Sequence, residues 1–145
     1  MAEQKTKVER LVITGGRDYE DRDAVFSALD AVKRIHPELK VIIHGDARGA
    51  DSLAKEWALE RGLTPEPYPA DWNGKYKKAA GFIRNQEMID RGKPHAAVAF
   101  PGGSGTSDMV DRINLAKIPL WIPYKFDLVS RYKKAKDDHG STAPV

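Results

Sequence analysis

The chain has 145 residues, enough for one domain with a proper hydrophobic core and too few for two comfortable ones. Its 41% hydrophobic and 31% charged residues are ordinary globular values, and no stretch approaches the roughly 18 apolar residues of a membrane span. The absence of cysteine excludes a disulfide framework and thiolate chemistry, and a net charge of +3 falls far short of the dense basic patch of a committed nucleic-acid binder.

Residues 1–9 begin polar and charged, with no apolar leader segment, and read as a flexible start. Arg10 to Thr14 is a short apolar run ending in Gly15-Gly16, the pattern of a buried strand entering a tight turn. Asp21 or Asp23 can cap a helix that carries Val25, Leu29 and Val32 inward, widened by Phe26 and stopped at His36-Pro37. Lys40 to His44 is a second buried strand. A second helix follows Gly49, with Ala50, Leu53, Ala54, Trp57 and Ala58 on one face and Gly62 at its end. Leu63 to Pro69 contains three prolines, so a third strand there must be short or at an edge. After a polar, aromatic loop over 70–77, a third helix is expected from about Lys78 to Arg91. Ala96 to Phe100 makes another buried strand, and a fourth helix turns Met109, Ile113 and Ala116 inward. Leu120 to Ile122 is the last strand, residues 125–136 read as an amphipathic helix, and 137–145 as a disordered tail.

Apolar strands alternating with amphipathic helices predict an α/β fold: one Rossmann-like, three-layer domain over 10–136, with a parallel sheet flanked by helices. In such folds ligands bind beyond the carboxyl ends of the strands. Three glycine-bearing loops fall at that edge: Gly15-Gly16-Arg17-Asp18, Gly45-Asp46-Ala47-Arg48-Gly49-Ala50-Asp51 and Pro101-Gly102-Gly103-Ser104-Gly105-Thr106. Glycine lets a phosphate approach backbone N–H groups, and each following helix offers unpaired donors and a positive dipole end. Ser104 and Thr106 add hydroxyl donors, and Arg17 and Arg48 can fork onto phosphate or carboxylate oxygens. A parallel sheet also needs glycines at its turns for purely structural reasons, but three such loops at one edge favour an anion or nucleotide site. Neither a complete Walker A nor a complete GxGxxG sequence occurs, which disfavours an ATPase and an ordinary dinucleotide dehydrogenase.

Arg84-Asn85 on the third helix can project a cation and an amide into the same crevice. Trp72 and Tyr76, flanked by Lys75, Lys77 and Lys78, can stack on a base, or pack as ordinary loop aromatics. His44 is a candidate acid–base group, or a strand-end histidine satisfied by its neighbours. The other histidines form no ligand cluster, so neither a metal site nor a cofactor is expected.

The five motifs Gly15 to Asp18, Gly45 to Asp51, Ala70-Asp71-Trp72, Ala80-Gly81 with Arg84-Asn85 and Met88, and Phe100 to Thr106 occur in order across residues 10–124. Together they resemble the YspA/YpsA-related branch of the SLOG superfamily, a bacterial and phage group. That superfamily also holds the Lonely-guy phosphoribohydrolases and the DNA-processing protein DprA. The resemblance implies a pocket for a nucleotide or nucleotide-derived ligand. The Lonely-guy enzymes hydrolyse an N-glycosidic bond with the Glu of a PGGxGTxxE motif and the Arg of an RKxxM motif. Here Arg84 and Met88 keep the second motif with Asn85 in place of Lys, but Met109 stands where the Glu would be. A thioether can neither take a proton from water nor stabilise an oxocarbenium-like charge. Asp108 lies one residue earlier, about 100° around the helix, and is shorter by a methylene.

Three functions follow as expectations. The first is a binding or sensing module for a nucleotide-like ligand. In it phosphate rests on Gly15-Gly16 and Gly102 to Thr106, Arg17, Arg48 and Arg84 neutralise it, and Asp18, Gly45, Gly49, Asp51, Trp72, Asn85 and Pro101 complete the site. The second is a phosphoribohydrolase-like enzyme using a non-standard carboxylate from among Asp46, Asp51, Asp71, Asp108 and Glu87, with Arg84 and Asp108 as the catalytic candidates. The third is single-stranded nucleic-acid binding of the DprA kind. A cytoplasmic location and a homodimer, with Met88, Ile89 and the C-terminal helix as interface surface, complete the reading; no membrane partner is expected.

Overall fold

A computed structural model of the chain describes residues 7–123 and 144–145. The start of the flexible N-terminus, the expected helix over 125–136 and most of the expected tail lie outside the described residues.

Among the described residues five strands alternate with four helices: β1 (Arg10–Thr14), α1 (Arg22–Ile35), β2 (Val41–His44), α2 (Ala50–Glu60), β3 (Thr64–Pro67), α3 (Ala80–Asp90), β4 (Ala96–Ala99), α4 (Ser104–Leu115) and β5 (Leu120–Trp121). A 3-10 turn, Lys77–Ala79, leads into α3. Every pairing is parallel, and the strand order is β3-β2-β1-β4-β5. This is the expected Rossmann-like architecture.

Side chains alternate across the central strands, so each strand feeds two cores. Leu11, Ile13, Ile42 and Val98 point to one face, where they bury Val25, Leu29 and Val32 of α1 and Ala54, Trp57 and Ala58 of α2. Val12, Ile43, Ala97 and Ala99 point to the other, against Met88 of α3 and Met109 and Ile113 of α4. Asp21 caps α1, its side chain accepting from the Ala24 N–H at 3.0 Å. Trp57 Nε1 donates to Asp30 (2.8 Å), which also accepts from Arg61, so the α1–α2 layer is pinned by a polar contact above its apolar seam. Ala116 differs from expectation: α4 ends at Leu115, and Ala116 is its exposed C-terminal cap rather than part of the buried stripe.

β3 is the edge strand that its prolines demand. The Thr64 and Tyr68 N–H groups donate inward to Lys40 and His44 carbonyls of the β2 segment. Successive backbone N–H groups alternate sides, so Pro65 and Pro67 sit where no donor is required and blunt the free edge.

The strand order reverses between β1 and β4. The chain leaves β1 toward α1 on one face and leaves β4 toward α4 on the other, which opens a crevice between the two departing loops. No helix among the described residues is long and apolar enough to cross a membrane.

Candidate functional site

The crevice holds a cavity of about 380 Å³. Its walls come from the loop after β1 (Gly15, Gly16, Arg17), Ala47 and Asp51 near the start of α2, Trp72, one side of α3 and the start of α4 (Gly103 to Thr106). The structure thereby brings eleven of the expected residues to one place: Gly15, Gly16, Arg17, Asp51, Trp72, Arg84, Asn85, Gly103, Ser104, Gly105 and Thr106.

The three glycine loops play different parts. Gly16 N–H donates to the Pro101 carbonyl (2.8 Å), and Gly16 in turn accepts from the Ala50 N–H (3.1 Å), so loops one and three, and loops one and two, are tied through a single residue. In the second loop, Asp51 Oδ2 accepts from the N–H groups of Gly45 (2.9 Å) and Ala47 (3.4 Å). These amides are spent within the protein and are not offered to a ligand. Gly49, at φ +79°, and Gly102 allow the close approach: a Cβ on Gly49 would collide with the Gly16 carbonyl, and one on Gly102 with Thr106 Oγ1.

The third loop is the open one. No side chain caps α4, its first turn has no acidic residue, and its first helical bond runs from Ser107 N to Gly103 O. The N–H groups of Ser104, Gly105 and Thr106 therefore have no intrahelical partner, and their residues line the cavity. Gly103 and Gly105 have only open space where a Cβ would be, and neither has positive φ. Internal packing does not require them to be glycine.

Three cations border the cavity: Arg17, Lys78 and Arg84. Half-buried Arg84 donates through NH1 to the Gly45 carbonyl and through Nε to Asn85 Oδ1 (3.1 Å), and makes no ion pair with a described carboxylate. Burial lowers its pKa, Arg17 adds to that lowering, and Asp51 and Asp46 oppose it. Asn85 is buried and fully used: its Nδ2 donates to Gly105 O (3.2 Å) and to Asp108 Oδ2 (3.0 Å). It links the Arg84 guanidinium to the first turn of α4. Asp51 is 7% exposed, and burial pushes its carboxyl up to about 6 against the opposing pull of Arg84 and the Ala47 and Gly45 amides. Trp72 is 45% exposed, with Arg17 Cζ 4.9 Å from its ring centroid and its rim against Gly81 of α3.

Other expected residues lie elsewhere. Arg48 pairs with Asp18 at the surface (3.2 Å), both largely exposed, and with Gly45 borders a more open, adjoining depression that shares Arg17, Ala47, Trp72 and Arg84 with the cavity. Gly49, Pro101 and Gly102 support the loops from behind. Asp108 does not line the cavity; Arg112 Nε holds its Oδ2 at 2.7 Å. Met109 is fully buried in the α3–α4 core. His44 is buried away from the cavity with its pKa lowered by burial; its Nδ1 accepts from the Asp46 N–H, while Nε2 has no partner among the described residues. No cluster of three or more His, Cys, Asp or Glu among the described residues could hold a metal.

Lys78, Gly81, Phe82 and Met88 also line the cavity; Gly81 and Met88 belong to the fourth motif and Lys78 flanks the aromatic loop, but none of the four was expected as a ligand contact. Their spacing was the available signal: 78, 81, 82, 85 and 88 fall on one helical stripe.

Residues 9–74, which carry the first two glycine loops and Trp72, match the model of the YspA, cpYpsA-related SLOG family. Gene 61 protein of Mycobacterium phage D29 is 39% identical over 120 residues, spanning 78% of this chain and 94% of that protein. The chain belongs to the YspA, cpYpsA-related SLOG family. Two solved structures share the fold of this SLOG domain. DNA processing protein A (DprA) from Streptococcus pneumoniae superposes with a TM-score of 0.59 at 17% identity, covering 79% of this chain. The SLOG domain spans only 50% of that DprA chain. The Moco Carrier Protein from Chlamydomonas reinhardtii gives 0.57 at 16% identity, covering 88% of this chain and 86% of its own.

Proposed function

We propose that this SLOG domain binds a nucleotide or nucleotide-derived ligand, with a phosphate seated on the first turn of α4. The single observation that carries the reading is the α4 start: three amides without intrahelical partners, flanked by two glycines that packing does not require, open onto a cavity bordered by Arg17, Lys78 and Arg84. Gly103 is the helix N-cap, where glycine is well tolerated, but Gly105 lies inside the first turn, where glycine costs up to about 1 kcal/mol relative to alanine. Close approach of a ligand accounts for that cost where packing does not.

The opposite wall fits the rest of such a ligand. Trp72, Phe82 and Met88 give it an apolar face beside the cationic one. The volume suits one nucleotide-sized molecule better than a continuous strand, so the DNA-processing neighbour lends its fold to the reading more than its substrate. Hydrolysis by a carboxylate at the Lonely-guy position draws less support, because Met109 is buried in the core and Asp108 is held by Arg112 and Asn85, which leaves Asp51 as the candidate carboxylate that borders the cavity.

Calorimetric titration and thermal unfolding with nucleoside mono- and diphosphates, cyclic nucleotides and ADP-ribose test the proposal. Saturation at 100 times Kd is expected to stabilise the fold by about 2.7 kcal/mol, a shift of roughly 10 °C at most. No shift with any of them, and no heat of binding, overturns it. Chromatography of the same mixtures detects any released base.

A further inference from the structure

We propose that the cavity takes a phosphorylated sugar rather than a bare anion, with Asp51 Oδ1 accepting a hydrogen bond from a sugar hydroxyl. The inference rests on the phosphate site at α4 proposed above and names what must sit beside that phosphate.

Asp51 has two oxygens in different situations. Oδ2 is occupied by the Gly45 and Ala47 amides and explains the fold of the second loop. Oδ1 makes no hydrogen bond or ion pair with any described residue, yet it is not among the sealed, partnerless buried atoms. The residue is more than nine-tenths buried and borders this cavity. One carboxylate oxygen thus opens onto the space that the α4 amides also face.

For a site built for phosphate alone, that oxygen is counterproductive. It repels an anion in surroundings of low dielectric, where charge–charge interactions are strong. Arg84 attracts Asp51 electrostatically but forms no ion pair with it; both approach Gly45, whose absent Cβ leaves room for them, and Oδ1 keeps no direct cationic partner among the described residues. Asparagine could also accept from both loop amides, through its carbonyl oxygen, though without the added strength of a charge. An acceptor with no protein donor, on a wall whose other charged groups are cations, calls for a ligand carrying both an anion and a hydrogen-bond donor. Phosphorylated sugars have this combination without needing a base. A carboxylate hydrogen bond to a hydroxyl is also the stronger, charge-assisted kind.

Asp51→Asn tests this with little change of shape. Its carbonyl oxygen can still accept from the Gly45 and Ala47 amides, which turns the NH₂ toward the cavity and replaces an acceptor with a donor. Titrations use inorganic phosphate and ribose 5-phosphate on the wild type and on D51N. The wild type is expected to bind ribose 5-phosphate at least tenfold more tightly than phosphate, and D51N to lose that preference while keeping or improving phosphate binding. A second comparison needs no variant: AMP should bind the wild type at least tenfold more tightly than its 2′,3′-dideoxy analogue. Equal wild-type affinity within both pairs, or a preference for ribose 5-phosphate that survives in D51N, overturns the role of Asp51 while leaving the phosphate site standing. If neither phosphate nor any sugar phosphate binds the wild type, the phosphate site itself falls.

Discussion

Gly49 lies directly against Gly16: it holds φ at +79°, and a Cβ on it would collide with the Gly16 carbonyl oxygen that accepts from Ala50. This contact ties the start of α2 to the loop after β1. Gly49→Ala is therefore expected to combine left-handed strain with a backbone collision, costing about 2–4 kcal/mol. Chemical denaturation should show a lower midpoint with an unchanged slope.

Gly105→Ala should do the opposite. A Cβ there meets open space, and alanine in the first turn of α4 is expected to stabilise by a few tenths to about 1 kcal/mol. Phosphate-bearing ligands should nevertheless bind at least tenfold more weakly, since the methyl group occupies the approach to the amides. A variant that gains stability and binds normally would remove the proposed reason for this glycine.

The two glycine variants also mark how far the sequence could be read. Strand and helix order was legible because apolar runs and helical stripes change period at glycines and prolines: the three prolines between Leu63 and Pro69 required β3 to be short or at an edge, and it is both. The family motifs carried the reading to the crevice. They could not distinguish amides that bind a ligand from amides consumed at home, because that depends on where Asp51 turns its carboxylate and which carbonyl Gly16 meets. Arg48 failed to reach the cavity for a similar reason, since its long side chain has a partner, Asp18, available at the surface. Phe82 was hidden because an aromatic on a helix stripe reads as core until the facing layer is known.

Arg84 is the cation most firmly fixed at the cavity, held by the Gly45 carbonyl and by Asn85. Arg84→Gln should weaken phosphate-ligand binding by about 10- to 100-fold, the range of a charge-assisted hydrogen bond at about 1.5–3 kcal/mol. Asn85→Ala should weaken it less and also lower stability, because Gly105 O and Asp108 lose a donor. Calorimetry on both variants, with unfolding midpoints alongside, separates charge from positioning. Equal affinity in wild type and R84Q would place the anion elsewhere.

Met109→Glu tests whether the fourth helix could regain a hydrolytic carboxylate. Met109 is fully buried with Val12, Ile43, Met88 and Ile113, so the new group enters an apolar core with no partner. A loss of about 3 kcal/mol or more is expected, with no release of base from any nucleotide. Met109→Leu, nearly conserving volume, should cost less than about 1.5 kcal/mol. Base release by a folded M109E protein would show that this position faces the cavity after all.

Asp51 gives the fold a pH dependence whose sign is fixed by its burial. Its carboxyl is pushed up to about 6, from an ordinary 3.8, chiefly by desolvation; Asp46 adds to the rise, while Arg84 and the Ala47 and Gly45 amides oppose it. Between these values the folded state holds a proton that the unfolded chain has released. Stability from this group is therefore fully present below about pH 3.8 and is lost as pH rises through about 6, by at most about 3 kcal/mol. Asp51→Asn cannot titrate. Thermal unfolding of wild type and variant from pH 4 to 7 should show the wild type losing ground to D51N as pH rises, with most of the change complete by pH 7. Glu38, held near 2 chiefly by the Val8 N–H, titrates in both proteins and cancels from the difference. A difference that stays flat with pH would mean that Asp51 is ionised throughout and that the cavity is wetter than its walls imply.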